Sequence, residues 1–211
     1  MRTRALELLA ATTLLAGCPS TTVYRTAETV PNGEFRGAVA LGGGVLRDRA
    51  QDTRAPTGHV ELELRRGVSA NADVGVKLFT VGVDASATLR FLRRDAWSLA
   101  LAPQLTFVRT PETALTTNAM HLFGGTTFVA TRRLGPSTAL SFGPALGFGT
   151  YFPEAGGHVA GLFLGTFVNL EIALGKRSWL VPELSGFQVV SGEVPVRGAG
   201  VNLGASLRFG L

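Results

Sequence analysis

Large apolar residues alternate with small or polar residues along the last part of the chain. From residue 199 to residue 211 every second residue is apolar, and the residues between them are glycine, asparagine, serine or arginine. Successive side chains of a β-strand point to opposite faces, so this stretch would have one apolar face and one polar face. Alternation over about ten residues is typical of a strand that crosses a bilayer, with lipid outside and a polar lumen inside.

The same alternation recurs along the chain from residue 34 onward. It is clear over residues 138–152, where leucine and phenylalanine occupy one face. Alternating segments that are bounded by turn residues predict strands. We therefore predict an all-β fold, a closed, antiparallel, up-and-down transmembrane β-barrel of about ten strands, within a range of about eight to twelve. The predicted strands lie near 34–47, 57–66, 72–80, 83–92, 96–109, 118–131, 138–152, 158–174, 178–189 and 199–210.

The connections between these strands are of two kinds. Four are tight, namely 67–71, 93–96, 132–137 and 175–178. Three are longer, namely 48–56, 110–117 and 189–198. Outer-membrane barrels have short periplasmic turns and longer exterior loops. The tight turns therefore predict the periplasmic end, and an even number of strands predicts that both termini lie on that side.

The first residues of the chain have the order of an export signal. Two arginines precede a short apolar run, which ends in Leu15-Ala16-Gly17-Cys18. This ending resembles the bacterial lipobox, and the resemblance implies that lipoprotein-processing machinery cleaves before Cys18, which becomes the acylated first residue of the mature protein. We predict three regions, which are a signal peptide (1–17), a lipidated N-terminus with a flexible tether (18–33) and the barrel domain (34–211).

Composition narrows the class of protein. The mean hydropathy is +0.26, and only 17% of the residues are charged. A chain of this composition is too apolar to be disordered. No run of about 18 apolar residues follows the signal, so a spanning structure has to be a barrel and not a helix bundle. Cys18 is the only cysteine, which excludes an internal disulfide and a cysteine-ligated zinc site.

The basic charge does not indicate a nucleic-acid partner. The net charge is +5 and the isoelectric point is about 10.3. Eight of the 20 basic residues form doublets at the predicted tight turns, where their side chains can reach lipid head groups, namely Arg65-Arg66, Arg93-Arg94, Arg132-Arg133 and Lys176-Arg177. Because no basic surface is interleaved with aromatic residues, we expect outer-membrane lipid and no nucleic acid as a partner.

Two stretches resemble the small outer-membrane β-barrel proteins of the outer membrane protein A and X type. Residues 61–68, followed by 73–76, are similar to the descending strand, tight turn and ascending strand of such barrels. Leu207-Arg208-Phe209 is similar to their C-terminal assembly signal. The resemblance implies an outer-membrane location and recognition of Leu207 and Phe209 by the barrel-assembly machinery.

Polar residues on the inward face are the candidate functional residues. Inward charges usually pair in a lumen this narrow, because an unpaired buried charge is costly. A turn centred at Ser69 places Glu61 opposite Lys77 and Arg65 opposite Asp73, and the next turn brings Lys77 beside Asp84. We predict a lumen charge network of Glu61, Glu63, Arg65, Asp73, Lys77, Asp84 and Arg90, with an ion path or a ligand site as the alternative. The other inward polar residues are His59, Gln104, Asn169, Glu171, Glu183 and Arg208.

The sequence contains no convincing catalytic or metal-binding group. His121 and His158 are far apart, and the strand around His121 lacks the serine that a His-x-Ser pairing requires. Three histidines without a short spacing do not form a metal motif. We therefore expect no catalytic residues, no cofactor and no metal.

Three functions are compatible with these patterns. The first is a non-catalytic outer-membrane lipoprotein with a structural or surface-interaction role. The second is a narrow pore or small-molecule carrier, because glycine and serine on inward faces leave space in the lumen. The third is a lipid-anchored periplasmic barrel that resembles a lipocalin, which requires large apolar residues on the inward face.

Overall fold

The computed structural model describes residues 22–48, 53–110, 119–153, 159–192 and 198–211. Within these ranges the chain forms ten strands and no helix that is long and apolar enough to cross a membrane. The strands are β1 (Phe35–Asp48), β2 (Thr53–Ser69), β3 (Ala72–Phe79), β4 (Gly82–Arg94), β5 (Trp97–Thr110), β6 (Ala119–Arg133), β7 (Thr138–Pro153), β8 (Val159–Gly175), β9 (Ser178–Gly192) and β10 (Gly198–Gly210).

The strands close into one antiparallel barrel. Each strand pairs with its neighbours in sequence, and β1 pairs with β10 to complete the ring. The predicted closed, up-and-down barrel of ten strands is confirmed. Closure leaves no free strand edge, which is the condition for a sheet to span lipid.

The two ends of the barrel differ. The connections 70–71, 95–96, 134–137 and 176–177 all lie at one end, called here the turn end, together with the start of β1 and the end of β10. The opposite end, called here the loop end, carries the connection 80–81 and the four connections outside the described residues. One predicted long loop is shorter than 48–56, because residues 53–56 extend β2 by pairing with the end of β1.

The outer surface of the barrel is apolar, and the lumen is largely polar with a smaller apolar part. Large apolar side chains such as Leu41, Leu203 and Phe148 are more than half exposed on the outer surface. Glu61, Asp73 and many other polar residues are buried in the lumen. This distribution suits lipid outside and contradicts the lipocalin-like alternative, which requires the large apolar residues inside.

Aromatic and basic side chains pair at the turn end. The guanidinium of Arg132 lies 5.6 Å from the ring of Trp97, and that of Arg36 lies 4.9 Å from the ring of Trp179. Aromatic girdles with cationic partners occur where a barrel wall meets the lipid head groups. The turn end therefore has the chemistry of a membrane interface.

Residues 22–32 are called here the lumen segment, of which residues 22–30 lie inside the barrel while Pro31 and Asn32 are exposed at its turn end. Its Tyr24, Arg25, Ala27 and Val30 are all buried. The sequence predicts a flexible tether over residues 18–33, and for residues 22–32 that prediction is wrong. The reason is that lumen side chains provide partners for the segment's backbone, which composition does not reveal. Residues 18–21, like the predicted signal peptide, lie outside the described residues.

Candidate functional site

The lumen near the turn end holds a charge cluster around Arg65. Its Nε donates to Asp73 Oδ1 at 3.0 Å, and its Nη1 donates to Glu63 Oε1 at 2.8 Å. Its Nη2 also donates to Thr88 Oγ1 at 3.0 Å. A guanidinium shared by two carboxylates neutralises charges that would be costly if buried alone.

The predicted register of this hairpin is wrong by two residues. Glu63, and not Glu61, lies opposite Lys77, and Gly67 lies opposite Asp73. A β-bulge between Gly67 and Ser69 and a two-residue turn at 70–71 produce the shift. Because a shift of two keeps every side chain on its face, these charges still point into the lumen.

Lys77 stands at the middle of the lumen. Its Nζ lies 3.4 Å from Glu61 Oε2 and donates to the carbonyl oxygen of Thr22 at 3.2 Å. Lys77 also pairs in register with Asp84, as the sequence predicts. Asp84 accepts a hydrogen bond from Thr106 at 2.7 Å, and its other oxygen lies 3.6 Å from Arg25 Nη2. The lumen segment thus contributes to the same charge network.

Glu28 of the lumen segment joins three strands at the turn end. Its carboxylate accepts hydrogen bonds from Arg90 Nη1 at 3.0 Å, from Ser98 Oγ at 3.1 Å and from Arg133 Nη2 at 3.1 Å. Arg90 also donates to Asn71. Arg90, which the sequence places in the charge network with Glu61 and Asp84, therefore binds Glu28 of the lumen segment and Asn71.

Glu183 on β9 binds the backbone of the lumen segment. It is 2% exposed, and its Oε1 accepts a hydrogen bond from the amide of Val23 at 2.6 Å. Its Oε2 accepts from the amide of Tyr24 and, at 3.2 Å, from Asn169 Nδ2. The sequence shows that Glu183 faces inward, but it gives no sign that the partner is a backbone amide.

Other lumen side chains bind the rest of the segment. The amide of Ala27 donates to Thr131 Oγ1 at 2.7 Å, and the amide of Val30 donates to Asp73 Oδ2 at 2.8 Å. Asn169 Nδ2 donates to the carbonyl oxygen of Arg25 at 2.9 Å. Buried backbone groups need partners, and here strand side chains supply them in place of a sheet.

Glycines in the wall make room for the segment. A Cβ on Gly204 would collide with the Tyr24 hydroxyl, and a Cβ on Gly67 would collide with the carbonyl of Pro31. Gly67 also accepts a hydrogen bond from the amide of Gly33 at 2.9 Å. A side-chain hydroxyl at Gly204 and a backbone carbonyl at Gly67 approach so closely that neither position has room for a side chain.

A cavity of about 130 Å³ lies beyond Thr22, on the loop side of the segment. Thr22 and Val23 form one end of it, and Phe123, Phe163 and Phe187 line its walls. Gln104 and Thr106 also contribute to its lining. We call this space the lumen cavity.

The remaining predicted site residues lie as follows. Leu207 is exposed on the outer surface, and the ring of Phe209 lies over Gly37. Arg208 points into the lumen and donates to Glu171 Oε2 at 2.9 Å. Cys18, the predicted lipidation site, lies outside the described residues. Among the residues that the structure describes, no group of three His, Cys, Asp or Glu side chains could hold a metal ion.

Known proteins share the fold of this chain. No protein-family model matches the sequence, and no curated protein matches it significantly. Neisserial surface protein A is 11% identical with a TM-score of 0.50, covering 83% of this chain and 96% of that one. The outer membrane protease OmpT from Escherichia coli is 8% identical with a TM-score of 0.50, covering 90% and 100%. An outer membrane channel from Pseudomonas putida F1 is 10% identical with a TM-score of 0.51, covering 92% and 100%. These similarities show an outer-membrane type of barrel fold.

Proposed function

We propose that this chain is an outer-membrane β-barrel lipoprotein with a structural or surface-interaction role and no catalytic activity. The observation that carries the proposal is the occupied lumen. A segment of the chain itself fills the barrel from the turn end to Thr22, and buried carboxylates hold it there. A barrel that is closed in this way serves as a membrane anchor for the connections at its loop end.

The arrangement of charges supports a structural role for the lumen. Arg65 is satisfied by Asp73 and Glu63, and Glu28 is satisfied by Arg90 and Ser98. Groups that are paired and buried have little capacity to bind a passing ion or to activate a substrate. We therefore assign the charge network to stability and not to transport or catalysis.

The proposal includes an orientation and a set of partners. The amide of Leu211 donates to the carbonyl of Phe35 at 3.0 Å, so the start and the end of the barrel meet at the turn end. We assign this end to the periplasm because short turns collect there in outer-membrane barrels. Leu207 and Phe209 would then present the C-terminal signal to the assembly machinery, and outer-membrane lipid would surround the apolar wall.

The experiment compares the wild-type protein with Cys18→Ala in a Gram-negative host. We expect both proteins in the outer-membrane fraction after carbonate extraction, because the apolar wall of the barrel spans the bilayer without help from the lipid. We expect labelled palmitate on the wild-type protein only. Recovery of Cys18→Ala in the soluble periplasm would contradict the spanning barrel, and unlabelled wild-type protein would contradict the lipid anchor.

The lumen cavity favours one second candidate, a small-molecule carrier. Its three phenylalanines would suit a small apolar ligand. Titration of the folded protein with an apolar fluorescent probe tests this candidate. Saturable binding that Phe187→Ser weakens, while the outward Leu203→Ser leaves it unchanged, would support a carrier, and the absence of saturable binding would exclude it.

A further inference from the structure

The phenylalanine rings of the lumen cavity lie over glycines of the barrel wall. A Cβ on Gly149 would collide with the rings of Phe123 and Phe163, and a Cβ on Gly200 would collide with the ring of Phe187. Phe123 and Phe163 also contact each other edge to face, with their ring centroids 5.6 Å apart. The glycines let the rings lie close to the wall, which leaves the space between the rings open.

The wall beside these rings has small residues on its inner face. Gly125 pairs with Gly147 across β6 and β7, and Ala145 pairs with Gly165 across β7 and β8. All four line the lumen cavity. A Cβ on Gly147 would make only ordinary contact, because its nearest neighbour is the carbonyl oxygen of Gly124 at 3.5 Å. The packing of the wall therefore does not require glycine at position 147, and a larger residue there would reduce the cavity.

The lining of the lumen cavity is uncharged. None of the described residues that line it carries a charge, and Gln104 contributes the one amide side chain among them. Thr22 Oγ1 donates to Glu61 at 2.7 Å, and Thr106 Oγ1 donates to Asp84 at 2.7 Å, so both hydroxyl hydrogens are already used. A charged ligand would lose its hydration here without gaining an ionic partner. The lining suits a neutral ligand that has an apolar body and one polar group.

The volume of the lumen cavity limits the size of this ligand. The cavity measures about 130 Å³. An apolar cavity of about 150 Å³ stays dry and binds benzene. A single six-membered ring therefore fits, whereas a long acyl chain does not. Aromatic rings favour edge-to-face and offset contacts with one another, so three phenylalanines favour an aromatic ring over an aliphatic one.

We propose that the lumen cavity binds a neutral molecule with one aromatic ring and one hydroxyl group, of about the size of phenol. The ring packs among Phe123, Phe163 and Phe187, and the hydroxyl group pairs with the amide of Gln104. This ligand class rests on the carrier candidate, because it names what the same cavity would hold. It does not depend on the lipid anchor or on the orientation of the barrel.

The aromatic lining continues from the cavity toward the loop end. The ring of His121 stacks on Phe123 with centroids 5.7 Å apart, and it lies 4.8 Å from the ring of Tyr151. Because β6 begins at the loop end, His121 and Tyr151 lie on the loop side of Phe123. Thr22 and Val23 of the lumen segment form the opposite end of the cavity. The ligand would therefore enter and leave by the loop end without passing through the barrel.

The test measures the binding of para-fluorophenol by fluorine NMR to the full chain refolded in detergent. Gly147→Leu places a side chain in the cavity, and Gly124→Leu, the matched control, adds the same side chain to the outer face of the neighbouring strand, where nothing lies within 4 Å of the added Cβ. Gln104→Leu removes the amide from the lining. Heat-modifiable gel mobility verifies that each variant is folded.

We expect saturable binding to the wild-type protein and to Gly124→Leu, and loss of that binding in Gly147→Leu. Gln104→Leu should weaken the binding of para-fluorophenol about fivefold, which is the effect of one hydrogen bond, and should leave the binding of fluorobenzene unchanged. The ionised para-fluorobenzoate should not bind, because the cavity offers no cation.

Three results would overturn the proposal. They are no saturable binding of para-fluorophenol to the wild-type protein, unchanged binding in folded Gly147→Leu, and equal binding of para-fluorobenzoate. If Gly147→Leu does not fold, an unchanged affinity of Gln104→Leu for para-fluorophenol would overturn it instead. A wild-type protein that binds an apolar fluorescent probe but not para-fluorophenol would show that the ligand class is wrong while the carrier candidate stands, so the two can fail separately.

Discussion

The carboxylate of Glu183 accepts a hydrogen bond from the backbone amide of Val23 at 2.6 Å, across 160 positions of the sequence. The same carboxylate accepts from the amide of Tyr24. Two consecutive amides on one carboxylate fix the position of the chain at that point, because both donors must approach from the same side. This contact couples the lumen segment to the wall of the barrel.

Replacing Glu183 with glutamine should loosen the lumen segment. The amide side chain keeps one acceptor oxygen and loses the charge, and a hydrogen bond to a charged group contributes about 1.5–3 kcal/mol. We expect Glu183→Gln to lower the free energy of unfolding by about 2 kcal/mol and to speed hydrogen exchange at the Val23 and Tyr24 amides. Asp95→Asn, in an exposed turn, is the control and should change neither quantity. Unchanged exchange at the two amides would contradict the contact.

The pair Lys77 and Glu61 should show strong energetic coupling. Lys77→Met removes the cation from a buried pair while the Glu61 carboxylate stays buried beside His59 and Thr22, so we expect a loss of about 3 kcal/mol in the free energy of unfolding. Lys77→Met combined with Glu61→Gln should cost less than Lys77→Met alone. Denaturant unfolding of the refolded variants measures this cycle.

The matched control for this cycle is Lys176→Met, since Lys176 is exposed at the turn end. Its effect on unfolding should be small. Additive effects of the Lys77 and Glu61 substitutions would mean that the two side chains do not interact, which would contradict the ion pair between them.

A methyl group on Gly204 should displace the lumen segment. The added Cβ would meet the Tyr24 hydroxyl and would lie 2.8 Å from the carbonyl oxygen of Leu41. We expect trypsin to cleave Gly204→Ala after Arg25, which is buried in the wild-type lumen. Gly124→Ala is the control, because nothing lies within 4 Å of its added Cβ. Equal resistance of the two variants at Arg25 would count against the tight fit of Tyr24.

Protease added to intact cells should report the orientation of the barrel. The connections at the loop end contain Arg49 and Arg197, whereas Arg93 and Arg94 lie at the turn end. If the loop end faces the exterior, trypsin outside the cell cleaves at Arg49 or Arg197 and reaches Arg94 only after the outer membrane is opened. Cleavage of intact cells at Arg94 alone would invert the orientation.

The strand pattern could be predicted from the sequence because its cause is local. Alternation such as that of residues 199–211 follows from the opposite directions of successive side chains and from the contrast between lipid and lumen. The same reasoning predicts that Glu61, Lys77 and Asp84 face inward. The pattern predicts their partners less accurately. The bulge at Gly67 and Ser69 shifts the pairing of β2 with β3 by two residues, and such a shift leaves every side chain on the same face of the sheet.

The occupied lumen could not be predicted because its cause is not local. Residues 19–33 contain the proline, serine, threonine and glycine that are typical of a flexible linker. The partners that order the segment come from distant strands, namely Glu183, Thr131 and Asp73. The sequence gives one sign of an occupied lumen. The strands carry more inward polar groups than they would need if these groups paired only with one another.

Single-channel recording in planar bilayers tests the closed lumen most directly. The refolded full chain is compared with a variant that lacks residues 19–33, which removes the lumen segment and leaves every strand intact. We predict a silent wild-type protein across a range of voltages and discrete conductance steps for the deletion variant, because only the latter has an open path past Lys77 and Glu183. Discrete steps from the folded wild-type protein would contradict the occupied lumen and the anchoring role that depends on it.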